Sequence, residues 1–523
     1  MTAVLLALDA GTSVIKAVAF EVGGQVLAQA SRPNAYDFAE GGGVEQDMRR
    51  SWAEAAAVLA ELVAALRARD RAGEILALAI TGQGDGTWLI DAAGEPVGKG
   101  LLWLDARAAA IVAEKRASGA AAAAFAFTGT GLAACQQSAQ LLWLARHRPE
   151  TLARAATALH PKDYLYFRAT GKRRTSPCEA SFTFGDFRTR AYRREVLEAL
   201  DLTAVAALLP PIADGTMTAD PLSAEAARET GLAAGLPVVL GYVDVLCAAL
   251  GAGLYGAGEE VGVSIIGSTG MHMRLVADVD RVRPSPAMTG YCMAFPVPGH
   301  TMQAQSNMAA TLNIDWLAEI AADAARLAGG ERPAREALLD GLGETARHGR
   351  PGAALFHPFI STAGERGPFT EASARASLIG LDQTTRFGDI ARAVFEGLAF
   401  AARDCYMAMG DIPAEIRMTG GAARSATARH ILASVLARPV STIDQPEAGS
   451  AGAAMIAALA TGVYPDMKQC VADWVLPRLK APLPPDAALV PRYDALFPLY
   501  RQSCAAMMPI WRGFASGKDT HTQ

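Results

Sequence analysis

The sequence has no Cys-x-x-Cys pair and no His-x-x-x-His pair. Its seven cysteines, at 135, 178, 247, 292, 405, 470 and 504, are scattered and odd in number. That excludes a disulfide framework and a structural zinc site, and fits a reducing cytoplasm. The eight histidines show no metal-ligand spacing, so a histidine-based metal site has no support. No apolar run approaches the ~18 residues needed to cross a bilayer. The most apolar stretch, 451–460, is too short, and the start, Met1–Leu8, lacks a basic leader and runs into Asp9. It reads as a first strand, not a signal peptide. Charge of one sign is also missing: 48 Lys and Arg against 53 Asp and Glu leave a net charge of −5. Neither nucleic acid nor an anionic membrane is expected as a partner. A phosphorylated ligand would therefore have to be held by local cations and backbone N–H groups. What is present is apolar bulk, 51% hydrophobic against 19% charged residues, enough for large cores and too much for disorder. A chain of 523 residues suggests several domains.

Val4–Leu8, Val14–Phe20 and Val26–Ala30 are short apolar runs separated by glycine turns, which predicts a three-strand meander. Ser51 is placed to cap a helix over Trp52–Arg67. Ile75–Thr81 reads as a buried strand ending in Gly82-Gln83-Gly84-Asp85-Gly86. The second half restates this pattern. Pro237–Gly241 is a strand, and Val261–Ile266 turns at Gly267-Ser268-Thr269-Gly270 into Met271–Val276. This self-similarity predicts two related lobes, 1–246 and 247–523. Further on, Ile416-Arg417-Met418 is a short strand leading into Thr419-Gly420-Gly421-Ala422-Ala423-Arg424-Ser425 and a helix over Ala426–Leu436. Gly449–Ala460 is a helix of small residues, against which another element can pack closely. A last helix starts near Tyr493, and 517–523 are expected to fray.

Two patterns fail on context. Gly251-Ala252-Gly253-Leu254-Tyr255-Gly256 matches a dinucleotide fingerprint but follows a helix, where that fingerprint requires a strand. Gly98-Lys99-Gly100 lacks the spacer and Ser/Thr of a P-loop and reads as a hairpin turn. Asp9-Ala10-Gly11-Thr12-Ser13 with Lys16 is more informative. Glycine permits close approach to a phosphate, Thr12 and Ser13 offer hydroxyl and N–H donors, and Asp9 can hold hydrated magnesium. Gly267, Ser268 and Thr269 repeat that chemistry. For both turns a structural hairpin is the alternative. Asp244, just after a strand, is a general-base candidate, or else a helix N-cap. Gln83 and Asp85, with Trp103, Asp105 and Arg107, combine hydrogen-bonding groups and an apolar face, as a sugar pocket requires; hairpin surface polarity is the alternative.

Together the pieces resemble, in order and over nearly the whole chain, the FGGY carbohydrate kinases, a branch of the actin-like ATPases. The matching residues are Asp9, Gly11, Thr12, Ser13 and Lys16; Gly82–Gly86; Trp103, Asp105 and Arg107; Gly241 and Asp244 through Gly251; Gly267–Gly270; Gly364-Glu365-Arg366 with Pro368; Gly420–Ser425; and Glu447–Gly462. Two departures stand out. The second turn reads Ser-Thr where many relatives have Thr-Ser. Gly84-Asp85 stands where glycerol kinases have Arg-Glu and xylulose kinases usually Met-His. Within the family the loop Gln83–Trp88 most resembles erythritol kinases.

The resemblance implies an α/β fold of two actin-like (ribonuclease H-like) lobes, each a mixed sheet flanked by helices, with the active site in the cleft. It implies ATP and Mg2+ as cofactors, the metal near Asp9 through water. The phosphates would lie on Gly11, Thr12, Ser13, Lys16, Gly267, Ser268 and Thr269, and the adenosine on Gly420, Gly421, Ala422, Arg424 and Ser425. A small sugar or polyol would lie on Gln83, Asp85, Trp103 and Asp244, the last as base. The expected reaction is phosphorylation of erythritol. A pentulose kinase and a non-catalytic, sugar-responsive actin-like protein are the alternatives, and a homodimer is left open.

Overall fold

The computed structural model describes residues 3–256 and 261–519. Two six-stranded sheets carry the fold. The first contains β1 (Val4–Ala10), β2 (Val14–Glu21), β3 (Val26–Pro33), β4 (Ile75–Gly82), β5 (Asp220–Pro221) and β6 (Pro237–Val243) in the order β5-β6-β4-β1-β2-β3. The second contains β7 (Val261–Ile266), β8 (Gly270–Val276), β9 (Tyr291–Ala294), β10 (Thr301–Asn307), β11 (Glu415–Thr419) and β12 (Val440–Thr442) in the order β9-β10-β8-β7-β11-β12. In the first, β3, β2 and β1 pair antiparallel, while β1, β4 and β6 run parallel. In the second, β10, β8 and β7 pair antiparallel, while β7, β11 and β12 run parallel. The repeated glycine turns therefore belong to one topology used twice.

Residues of β1 alternate between the faces of its sheet, as strand geometry demands. Val4, Leu6, Leu8 and Ala10 pack into a core with α1 (Met48–Arg67). Leu5 and Ala7 face the other way, onto α2 (Asp244–Gly251) and α3 (Ala448–Ala460). By the same alternation Asp9 falls on the α2/α3 face, and Lys16 is its cross-strand partner on β2. These two helices approach backbone to backbone. A side chain on Gly251 would strike the Ala448 carbonyl, and one on Gly452 the Cys247 carbonyl. The small-residue composition of 448–460 follows from that contact.

The cap predicted at Ser51 is displaced. The helix begins at Met48, and Asp47 caps it by accepting from the Arg50 amide at 3.0 Å. Ser51 is buried, its hydroxyl donating to Asn34 Oδ1 at 3.0 Å. The Gly94–Gly100 segment is a hairpin turn, with Lys99 paired to Asp37 at the surface. The last helix spans Val490–Asp519, and residues 520–523 of the predicted frayed end lie outside the described residues. Among the described residues no helix is long and apolar enough to cross a membrane.

Candidate active site

The first turn joins β1 to β2. Its carbonyls are tied down: Asn34 donates its side-chain amide to Gly11 O at 2.9 Å and its backbone N–H to Ser13 O at 2.8 Å. Ser13 is left exposed. Thr12 is held from below, its hydroxyl donating to Gln83 Oε1 at 3.0 Å and accepting from Trp103 Nε1 at 2.8 Å. Gln83 in turn donates to Gln46 Oε1 at 3.0 Å, and both glutamines are buried. Gln83 and Trp103 thus meet at the turn, with their polar ends committed to Thr12.

The second turn joins β7 to β8. Gly267 O and Ser268 O accept from the Thr311 and Ala310 amides at 2.8 and 2.7 Å, where the helix Thr311–Leu327 begins. Ser268 and Thr269 stay exposed. Gly420, at φ 85°, lies so close to β7 that a Cβ there would sit 2.6 Å from Ile266 O. The 420–425 loop is therefore fixed beside the second turn. Arg424 is exposed, Ala422 is buried, and the Ser425 hydroxyl caps the next helix by accepting from Ala428 N at 3.2 Å.

Asp9, Lys16 and Asp244 converge with Glu447, the first residue of the small-residue stretch matched in the sequence. Lys16 Nζ lies 2.7 Å from Glu447 Oε2 at the start of α3. A Cβ on Gly449 would fall 2.8 Å from Asp9 Oδ2. Burial raises the Asp9 carboxyl to about 6, with Lys16 opposing and Glu447 adding to the shift. Asp244 opens α2, its Oδ1 accepting from the Val245 amide at 2.6 Å. It keeps some accessible surface, yet enclosure by protein, then the neighbouring Asp9, raises its carboxyl to about 8. Two carboxylates that repel each other in one cleft form a site for a proton or a cation.

The 82–86 loop packs beside Asp244, since a side chain on Gly84 would run into Val243. Asp85 adopts φ 55° and is buried. Its Oδ2 accepts from Tyr291 Oη on β9 at 3.2 Å and from Cys135 Sγ at 3.4 Å. Its Oδ1 has no partner among the described residues. Burial raises this carboxyl too, against those two hydrogen bonds and the charge of Arg366. Arg366 lies 5.9 Å over the Trp103 ring, so the second sheet's segment covers the first's loop. Asp105 and Arg107 do not join the site: Arg107 pairs with Asp105 and, at 2.9 Å, with Glu45.

Compared with known proteins, residues 4–251 match the N-terminal domain and 262–461 the C-terminal domain of the FGGY family of carbohydrate kinases. The chain belongs to that family. It is a phosphotransferase, and ATP is the phosphate donor that membership implies. The kinase is 49% identical to an erythritol kinase of Brucella abortus (strain 2308), with 98% of each chain covered. It is 28% identical to a xylulose kinase of Escherichia coli (strain K12), over 95% of this chain and 98% of that one. A solved xylulose kinase from Rhodospirillum rubrum superposes with a TM-score of 0.85 at 28% identity, covering 97% of this chain and all of its own. The FGGY resemblance and the two mixed-sheet lobes read from the sequence are borne out.

Sequence reasoning missed three features around the candidate site. Gln46 supports Gln83 from a distant strand. Tyr291 reaches Asp85 from the second sheet. Beneath Asp85 lies a buried ionic cluster of His160, Lys162, Asp163 and Glu179. Its one sequence signal is the adjacent charged pair Lys162-Asp163 at the start of the helix Pro161–Thr170, both of them buried.

Proposed function

We propose that the kinase transfers the γ-phosphate of ATP to a terminal hydroxyl of erythritol, with Asp244 as general base. The observation that carries this reading is the raised Asp244 carboxyl beside the Asp85 loop. A carboxylate held near neutral pH is strong enough as a base to take a hydroxyl proton. The 49% identity to an erythritol kinase supports the choice of acceptor. Asp85 agrees with it, because an acceptor-only carboxylate suits a polyol's O–H groups better than a ketose carbonyl.

In the reaction, Asp244 takes the proton as the hydroxyl oxygen bonds to the γ-phosphorus. The bond from phosphorus to the β–γ bridging oxygen breaks, and ADP leaves. Ser13 and Lys16 on one turn and Ser268 and Thr269 on the other grip the phosphates, with Gly11, Thr12 and Gly267 bringing backbone close. Gly420, Gly421, Ala422, Arg424 and Ser425 take the adenosine. Trp103 and Gln83 act through the first turn, by holding Thr12. Lobe closure of 1–246 against 247–523 excludes water, and positioning supplies most of the acceleration. Magnesium fits beside Asp9, a buried carboxylate flanked by Asp244 and Glu447, and would be held there through water. It would offset charge on the phosphates. The kinase works in the cytoplasm.

The test is a panel of erythritol, glycerol, xylulose and ribulose with kcat/KM measured from ADP release. Erythritol should lead. A ketose leading by tenfold or more would reject the acceptor assignment.

A further inference from the structure

The buried cluster beneath Asp85 has no part in the mechanism above. Its geometry starts from a short antiparallel ladder in which Trp88 faces Leu159 and Ile90 faces Thr157. Continued by one step, the register sets His160 beside Thr87, at the end of the Gln83–Gly86 loop. Gln137 fastens the two strands there, donating to Leu159 O at 2.9 Å and Gly86 O at 3.4 Å. His160 is 3% exposed, and its Nδ1 lies 3.2 Å from Asp163 Oδ2. Asp163 is itself held by Lys162 at 2.6 Å, and Lys162 reaches Glu179 at 3.1 Å. Burial opposes the charge on Asp163, but Lys162 and the His160 hydrogen bond outweigh it and keep the carboxyl below its usual range. A carboxylate only accepts, so the ring proton sits on Nδ1. In the neutral ring Nε2 is then an acceptor. Among the described residues Nε2 has no partner, and neither has Asp85 Oδ1.

We propose that His160 Nε2 and Asp85 Oδ1 form a paired acceptor site for two neighbouring hydroxyls of the substrate, selecting polyols over ketoses. With Asp85 ionised and the His160 ring neutral, both atoms only accept. A vicinal diol donates one O–H to each, whereas a carbonyl at either position brings a lone pair against a lone pair and leaves a buried acceptor unsatisfied. Lys162 and Asp163 are positioning residues, which set the tautomer through the ring's far nitrogen. The proposal rests on the reading of Asp85 as an acceptor-site residue and deepens it.

The experiment compares wild type, His160→Leu and His160→Gln on erythritol and on erythrulose, the ketose of the same length. It records KM and kcat for each acceptor, KM for ATP, and the melting temperature. Leucine removes the acceptor, while glutamine restores one at a similar reach. For His160→Leu, KM for erythritol should rise about tenfold and the erythritol-to-erythrulose ratio of kcat/KM fall about tenfold. KM for ATP should stay within about twofold, and His160→Gln should recover most of the ratio. If leucine does not fold, methionine takes its place in the comparison. An unchanged ratio, or equal loss on both acceptors, would overturn the proposal, as would glutamine behaving like leucine. A wild type that prefers erythrulose overturns the acceptor assignment together with this one. A wild type that prefers erythritol, with His160→Leu unchanged, overturns this one alone.

Discussion

Replacing Asp244 by Asn should make the kinase more stable and nearly inactive. The carboxyl goes from 3.8 in an open chain to about 8 in the fold. At pH 7 the unfolded chain has lost this proton and the folded one retains it. At pH 7 the proton is held about three pH units above the open-chain value, which at ~1.4 kcal/mol each sets an upper bound of about 4 kcal/mol against folding at that pH. Asp244 keeps some contact with solvent, so we expect about 1–2 kcal/mol in practice. Asparagine carries no charge and can still accept from the Val245 amide. The sign follows from linkage. An acid raised on folding costs nothing below about pH 4, costs progressively more between about 4 and 8, and costs a constant amount above. The difference in melting temperature between Asp244→Asn and wild type should be near zero at pH 4, grow toward pH 8 and then level at a few degrees. Turnover, followed by coupled ADP release, should fall about 10²–10⁴-fold with ATP binding retained. A variant that melts lower than wild type at pH 8, or one that turns over normally, would refute the reasoning.

The same carboxyl predicts that kcat/KM for the acceptor rises with pH up to about 8. A flat pH–rate profile between 6 and 9 would remove Asp244 as the group that limits it. Trp103→Phe deletes the donor to Thr12 at 2.8 Å, worth about 1 kcal/mol. Initial rates should show KM for ATP rising about fivefold, and an unchanged KM would mean the Thr12 network does not set the turn. Gly452→Ala drives a methyl group into the Cys247 carbonyl. Thermal melts should show a loss of about 2–4 kcal/mol, and a neutral result would contradict the backbone contact of α2 with α3.

What the sequence disclosed was local. The meander of β1, β2 and β3 and its echo at β7 and β8 are apolar runs bounded by glycine turns. The helix Ala426–Leu436 lies within its predicted bounds. The start of α1 was misplaced because Asp47 and Ser51 are both capping types, and only the fold sends Ser51 inward to Asn34. The two glycine turns were visible as motifs, but the direction of Gln83 and Trp103 was not. A residue type does not reveal that its polar end is committed to Thr12. Lys16 and Glu447 are 431 positions apart, and their pairing exists only once α3 lies across the first sheet. Asp105 and Arg107 had the composition of a sugar pocket, yet each satisfies the other beside Glu45.

The contact between α2 and α3 also bears on how the chain is made. One face of the first sheet, with Leu5, Ala7 and Val18, is covered in part by residues between Ala451 and Ala458. On the ribosome, β1 to β6 and α2 emerge complete by Gly251, but this covering helix ends at Ala460. At ~5–20 residues per second, the nascent first sheet waits on the order of 10–40 seconds with that patch open to water. During that interval it is a target for chaperones and for other nascent copies, and slowing translation between the two helices should lower the yield of native enzyme.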